Sequence, residues 1–435
     1  MTPHPIELPW GAEKISLNLP EAWQITGILE PSTLPGVPDP TRETARSLQS
    51  PAGSQRLSAL VKPGARIALV IDDSSRPTPV SAILPAVFDE LEHGNVQRDQ
   101  ITVVPALGLH RPMTQEEIEL RTGMKNLNFI NPECDNPDRL VYLGTTSRGT
   151  PVHICKTVAE ADLVLSIGCI EPHIIASFGG GYKNLFPGVA GRVTIAHNHS
   201  LNCTSATFNS VGQPVENNPM RLDLEEAGRL IKPPVFVVNA VLNSSLQVVR
   251  VVCGDAVAAH REGIRTSAEI YGVQVPGLAD VVITDSCPMD QDLRQGVKAL
   301  ANTVRAVKPG GVMIVLVKAG EGVGVFGLAN RKLPLGRKAL KLLAPVLIRL
   351  VPKLKLKGMG EEDRFFLYFA LQAMHRATLL MYAPTIPAET RANLPFVEFV
   401  DNPEEALSRA RQRFPGKAGV LVFPHGGSTY PILPG

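Results

Sequence analysis

Ala65-Arg-Ile-Ala-Leu-Val-Ile71 runs into Asp72-Asp-Ser-Ser-Arg-Pro-Thr-Pro79, and a helical pattern follows from Ala82 to His93. Apart from Arg66, the first run is apolar at successive positions rather than at alternate ones. That suits a strand buried on both faces of its sheet. A strand of that kind followed by a helix is the building unit of a parallel α/β fold. The unit recurs. Gln100-Ile-Thr-Val-Val-Pro-Ala106, Leu163-Val-Leu-Ser-Ile167, Val235-Phe-Val-Val-Asn-Ala-Val241, Val281-Val-Ile-Thr284 and Val312-Met-Ile-Val-Leu-Val317 read as further strands. Helical patterns lie at Pro219 to Ile231, Asp255 to Tyr271, Gln291 to Val307 and Asp363 to Leu380. The expected fold is α/β, with two domains of mainly parallel sheet and a cofactor/substrate cleft between them. A helix ends at Tyr271-Gly-Val-Gln-Val-Pro-Gly-Leu278, before a new strand. The expected division is therefore 1–274, cofactor-binding, and 275–435.

Composition narrows the function. The 435 residues carry 43 Lys+Arg against 41 Asp+Glu, a formal net charge of +2. That balance provides no global field for nucleic acid. With 44% hydrophobic residues, the chain is not a disordered tail or a fibre. The N-terminal segment lacks a basic region followed by an apolar one, and no run approaches the roughly 18 apolar residues of a membrane helix. Six cysteines (Cys134, Cys155, Cys169, Cys203, Cys253, Cys287) scatter without C-x-x-C spacing. They read as small buried hydrophobes in a reducing compartment. A cytoplasmic enzyme is expected, with no membrane and no nucleic-acid partner.

The densest chemistry lies in Ile170-Glu-Pro-His-Ile-Ile-Ala-Ser-Phe-Gly-Gly-Gly-Tyr-Lys-Asn-Leu-Phe-Pro-Gly188. It follows a strand, and α/β proteins place ligands at strand C-terminal ends. Gly179, Gly180 and Gly181 let backbone N–H groups approach a phosphate. Lys183 adds a charge or a nucleophilic amine, and His173 stands ten residues earlier. The Walker A spacing is absent. His197 and His199 are two further imidazoles able to ligate a metal. They share a face on a strand but not on a helix.

Other clusters also follow strands. Arg76 offers a fork for a carboxylate or phosphate, and Asp73 an acceptor for a ligand hydroxyl. The competing reading of that segment is an ordinary helix N-cap. Thr114 with Glu117 looks like a capping box, which leaves His110 for chemistry. Arg294, Gln295 and Lys298 fall within about one helical turn. Gly322-Val-Gly-Val-Phe-Gly327 matches the dinucleotide fingerprint, but no acid follows until Glu361. It supports the alternative of a dinucleotide-dependent oxidoreductase. Arg331 to Lys357 holds nine Lys/Arg and no acid. It reads as a solvated basic face or as a membrane- or nucleic-acid-binding helix, and Pro345 and Pro352 interrupt any long amphipathic helix.

Together these segments resemble the nickel-pincer-dependent lactate racemase family. The resemblance runs from about Asp72 to Gly426-Gly-Ser-Thr-Tyr430, and Glu171-Pro-His to Gly188 with Asn198-His199 is its most specific part. It implies a 2-hydroxy-acid racemase or epimerase. The family's cofactor is a nickel ion held in a pyridinium-derived mononucleotide, tethered by a thioamide to a lysine. By motif position, Lys183 matches the tethering lysine and His199 the nickel ligand. His110 and His173 match the two acid/base histidines. Arg76, Gln295 and Lys298 match substrate-carboxylate positions, and Asp73 a neighbouring active-site acid. The resemblance implies reversible hydride transfer from C2 to the cofactor, with cofactor-biosynthesis proteins as partners. Lactate-acting members carry tyrosine where this chain has Arg294. That change points to a larger, more polar or dicarboxylic 2-hydroxy acid.

Overall fold

A computed structural model describes residues 5–202, 210–353 and 359–434. Cys203 and residues 354–357 of the basic stretch lie outside them. The chain forms two α/β units.

The first unit comprises Thr33–Leu201 and Gln213–Ile270. Its six-stranded sheet runs in the order Val248–Gly254, Val235–Leu242, Leu163–Cys169, Ile67–Asp72, Ile101–Ala106, Asn128–Phe129. All neighbours are parallel except the first pair, a hairpin edge. The continuous apolar runs are buried on both faces: every residue of Ile67–Asp72 and of Leu163–Cys169 is buried. The helix Val80–His93 presents Ile83, Leu84, Val87 and Leu91 to the core. That spacing is one stripe of a 3.6-residue period. Full burial of each such side chain contributes about 1.5–3 kcal/mol.

Strand order carries functional information. The chain enters at Ile67–Asp72, moves outward to Ile101–Ala106 and Asn128–Phe129, then returns to the opposite side at Leu163–Cys169. The direction reverses between Ile67–Asp72 and Leu163–Cys169. The C-terminal ends of those two strands mark the usual ligand position in open α/β sheets.

The second unit comprises the described residues of Met1–Ser32, Asn202–Gly212 and Tyr271–Gly435. This corrects the division at 274/275. Its sheet is parallel throughout, in the order Glu398–Val400, Thr378–Tyr382, Val307–Leu316, Ala279–Asp285, Ala418–Phe423, Trp23–Ile28. The N-terminal strand Trp23–Ile28 completes the open edge beside Ala418–Phe423. The buried Trp23 donates its indole N–H to Phe414 O at 3.1 Å.

Three other expectations change. The helix Glu361–Arg376 stops short of Leu380, because Thr378-Leu-Leu-Met-Tyr382 pairs with Val307–Leu316. Pro345 lies inside the helix Arg337–Leu350 without ending it. The loop at 322–327 leads into the short 3-10 helix Gly327–Asn330, not the α-helix a dinucleotide site needs. A Cβ at Gly324 or Gly327 would meet the carboxylate of Asp292 or Asp363. Those charges would repel a pyrophosphate, so the structure does not support the dinucleotide alternative. No helix among the described residues is long and apolar enough to cross a membrane.

Candidate active site

Loops from three adjacent strand ends are bonded together at the reversal point of the first unit. Asp73 and Arg76 follow Ile67–Asp72, His110 follows Ile101–Ala106, and Glu171 and His173 follow Leu163–Cys169. His110 Nδ1 lies 2.5 Å from Asp73 Oδ2. Asp73 Oδ1 accepts from Ser75 N at 3.1 Å and from Ser75 Oγ at 2.5 Å. Burial pushes the Asp73 carboxyl up, but the bonds from His110 and Ser75 outweigh it and hold Asp73 below its ordinary value. An ionised Asp73 accepts the Nδ1–H of His110, which leaves the lone pair of the neutral ring on Nε2. The N-cap reading of this segment fails, because Pro79 holds the cap position without a side-chain bond.

Arg76 pairs with Glu171 across the reversal point. Burial works against the Arg76 charge, but Glu171, Asp72 and Asp73 hold its pKa above the ordinary value. Beneath it, Arg121 pairs with Asp72 and donates to Arg76 O at 2.9 Å. Burial pushes the Asp72 carboxyl up to about 6, against the opposing pull of Arg121 and Thr78. Nothing in the sequence near Asp72 signals Arg121, 49 residues away. Glu171 lies inside the segment singled out, yet it had no assigned partner.

His173 is held differently. Its Nδ1 accepts from Ile175 N and Ala176 N, both at 3.1 Å. A nitrogen that accepts two N–H groups carries no proton, so the neutral ring bears its proton on Nε2. The two candidate acid/base histidines therefore rest as opposite tautomers.

Gly179, Gly180 and Gly181 differ from the expected phosphate cradle. Gly179 N donates to Glu171 O at 2.7 Å, and Gly181 N to Asn239 Oδ1 at 2.8 Å. Two of the three N–H groups are thus engaged within the chain. Gly180 and Gly181 adopt φ of +75° and +60°, and a Cβ there would meet Ile170 Cγ1 at 2.5 Å or Ala256 O at 2.9 Å. Close packing and backbone conformation require these glycines. Lys183 follows in the 3-10 turn Gly181–Asn184. The Tyr182 ring fills the space above Gly228, and Asn184 Nδ2 donates to Ile167 O at 2.8 Å. Fixed neighbours on both sides hold the half-buried Lys183 in place.

His197 and His199 lie on the helix Arg192–Ser200, so they point to different faces. His197 Nδ1 is 2.8 Å from Thr150 Oγ1, which donates to the buried Asp223 at 2.7 Å. That network gives His197 a structural role and leaves His199 as the candidate ligand. Cys155, Cys169 and Cys253 are buried thiols, and the five cysteines described are unpaired.

In the second unit, Arg294, Gln295 and Lys298 group on the first turns of the helix Leu293–Thr303, capped by Asp292. The Arg294 guanidinium lies over the Phe366 ring, 5.9 Å from its centroid. Lys298 Nζ is 3.7 Å from Met289 Sδ.

Residues 10–210 match the family described as the lactate racemase N-terminal domain. Lactate racemase of Thermoanaerobacterium thermosaccharolyticum is 32% identical over 329 residues, 74% of this chain and 76% of that protein. The chain belongs to the lactate racemase family. Lactate racemase of Lactiplantibacillus plantarum is also 32% identical, over 65% of this chain and 67% of that one. The structure of the T. thermosaccharolyticum lactate racemase apoprotein superposes with a TM-score of 0.83 at 26% identity, covering 99% of this chain and 100% of that one. A Thermotoga maritima protein shares the fold, with a TM-score of 0.63 at 14% identity over 91% of this chain and 97% of that one. As a member of the lactate racemase family, the chain is an enzyme of the isomerase class, a racemase.

Proposed function

We propose that the chain racemises or epimerises a 2-hydroxy acid, using a lysine-tethered nickel-pincer nucleotide. The observation that carries this reading is the bonded set Asp73–His110 and Arg76–Glu171, with His173 beside it, at the reversal point of a doubly wound sheet. A racemase must serve both faces of one carbon, and imidazole is the side chain whose chemistry suits both taking and giving a proton there. Among the described residues, no three His, Cys, Asp or Glu side chains gather as a metal site. An amine at Lys183 and one imidazole at His199 suit a metal carried inside its own organic ligand. Bound there, the nucleotide would supply reversible hydride acceptance.

The chain supplies the proton work and the orientation. His110 accepts the 2-hydroxyl proton at Nε2, and Asp73 steadies the resulting imidazolium through Nδ1–H. His173 presents Nε2–H to the substrate oxygen on its side as a hydrogen-bond donor and keeps that proton, and the proton that His110 took returns to the oxygen as the product hydroxyl re-forms. Accepting a proton at Nε2 instead would require its Nδ1 tautomer, at the expense of the bonds from Ile175 and Ala176. Arg76 takes the substrate carboxylate. Asp73→Asn should lower kcat about 10²–10⁴-fold, the worth of an acid/base group and its orientation. Initial racemisation rates of the loaded variant check this, and an unchanged kcat would remove Asp73 from the mechanism.

By the resemblance, Arg294 stands where lactate-acting members carry tyrosine, and a cation there supports a substrate with a second anionic or polar group. Malate should be racemised faster than lactate, and Arg294→Tyr should reverse the preference. Comparing initial rates on both acids tests it. A lactate preference that Arg294→Tyr leaves unchanged would sink the substrate assignment.

A further inference from the structure

The loop that carries His173 is held carbonyl by carbonyl from beneath. Pro172–His173 and Ser177–Phe178 form a two-rung antiparallel ladder, with His173 opposite Ser177. Asn218 Nδ2 donates to Ile175 O at 2.8 Å and to Ser177 Oγ at 3.0 Å. Arg221 donates to Ala176 O at 3.4 Å, to Gly180 O at 3.2 Å and to Phe178 O. His260 Nε2 donates to Gly179 O at 2.8 Å. Asn218 and Arg221 belong to the cap and first turn of the helix Pro219–Arg229. Ser177 has a φ of +64°, a backbone conformation that needs outside support in a non-glycine residue.

Arg221 is fully buried, and its side-chain bonds run to backbone carbonyls. Burial pushes its guanidinium down to about 9, which still leaves it charged at neutral pH. A buried cation is costly unless its donors are satisfied. Here they are satisfied by three carbonyls of one loop. A planar fork offers five donors spread along one plane, whereas an ammonium gathers three on one compact atom.

We infer that Arg221 is a positioning residue, which fixes the 175–180 loop and thereby holds His173 in its Nε2–H form. The Ala176 N–H that meets His173 Nδ1 shares its peptide plane with Ile175 O, which Asn218 holds, and Arg221 fixes the next carbonyl along, Ala176 O, and with it the run of loop that keeps those N–H groups aimed at the ring. Loosening that loop frees Nδ1 to take the proton. The inference rests on the proposed role of His173, but its first readout needs neither cofactor nor activity.

The test is imidazole nitrogen NMR on the cofactor-free full chain above neutral pH. The unmodified protein should show His173 as one neutral tautomer with a bare Nδ1. Arg221→Met should mix in the other tautomer and leave the His110 signal unchanged. Arg221→Lys, which keeps the charge without the fork, should fall between them, and it carries the test alone if the Met variant does not fold. In loaded enzyme, kcat should fall up to about 10²-fold with KM nearly unchanged, as for a small misplacement. A single Nε2–H tautomer in the folded variants, or equal disturbance of His110 and His173, would overturn the inference. Full activity in His173→Ala would instead overturn the acid/base reading and leave the tautomer result standing.

Discussion

Lys183→Ala is expected to yield a folded chain that retains no covalently attached nucleotide. Racemisation should fall on the order of 10³-fold or more, the scale of losing a part on which the whole reaction depends. The reason lies in how the position is built. Tyr182 packs against Gly228 and Asn184 is bonded to Ile167 O, so the turn Gly181–Asn184 is held by its other residues. Removing the Lys183 stem and amine takes away the proposed tether and leaves those anchors. The melting transition should persist while the adduct disappears. Intact-protein mass spectrometry after co-expression with cofactor-biosynthesis proteins decides the matter. An adduct that survives Lys183→Ala, or none on the unmodified chain, contradicts the assignment.

The first unit was legible because its strands are continuous apolar runs, and their loops fall where a parallel sheet puts ligands. Asp73, Arg76, His110 and His173 could be picked out as strand-end polar residues. Strand order could not be read, and it is the order that joins the loops after residues 72, 106 and 169. The second unit was harder. Thr378-Leu-Leu-Met-Tyr382 follows a helix with only Ala377 between them, and a short apolar run has no period of its own to mark the change. Trp23–Ile28 is mostly exposed beyond Trp23, without an alternating pattern, and joins a sheet formed nearly 400 residues later. No local signal predicts that pairing. The glycine triplet reads from sequence as a phosphate cradle, and the structure adds a second reason for glycine there, since two of the three N–H groups are bonded within the chain and a Cβ at Gly180 or Gly181 would meet its neighbours. Glycine permits both a close ligand and close packing, and only Asn239, His260 and Ala256 distinguish the two. Arg221 looked like any charged residue of an amphipathic helix. Its burial depends on the loop it holds.

Asp285→Asn is the second large effect expected, and it bears on stability. Asp285 ends the central strand Ala279–Asp285 of the second unit and is fully buried. Its Oδ1 accepts from Cys287 N at 2.8 Å, and its Oδ2 has no partner among the described residues. Burial pushes the carboxyl from 3.8 up to about 8, and the nearby Asp290 charge adds to the shift. Between roughly pH 4 and pH 8, the folded chain therefore keeps a proton that the unfolded chain has released. The folded state binds more protons in that window, so stability falls as pH rises, by about 1.4 kcal/mol per unit at most. Asparagine is neutral throughout and keeps the acceptor for Cys287 N. It leaves buried amide hydrogens in place of the carboxyl hydrogen, a penalty of about 1–3 kcal/mol that partly offsets the gain. The net expectation is a variant more stable than the parent by roughly 2–4 kcal/mol at pH 8, with the advantage gone by about pH 5. Urea unfolding of both proteins at unit steps of pH reads the difference directly. A gap that stays constant from pH 5 to pH 8 would show that Asp285 does not titrate in the folded protein.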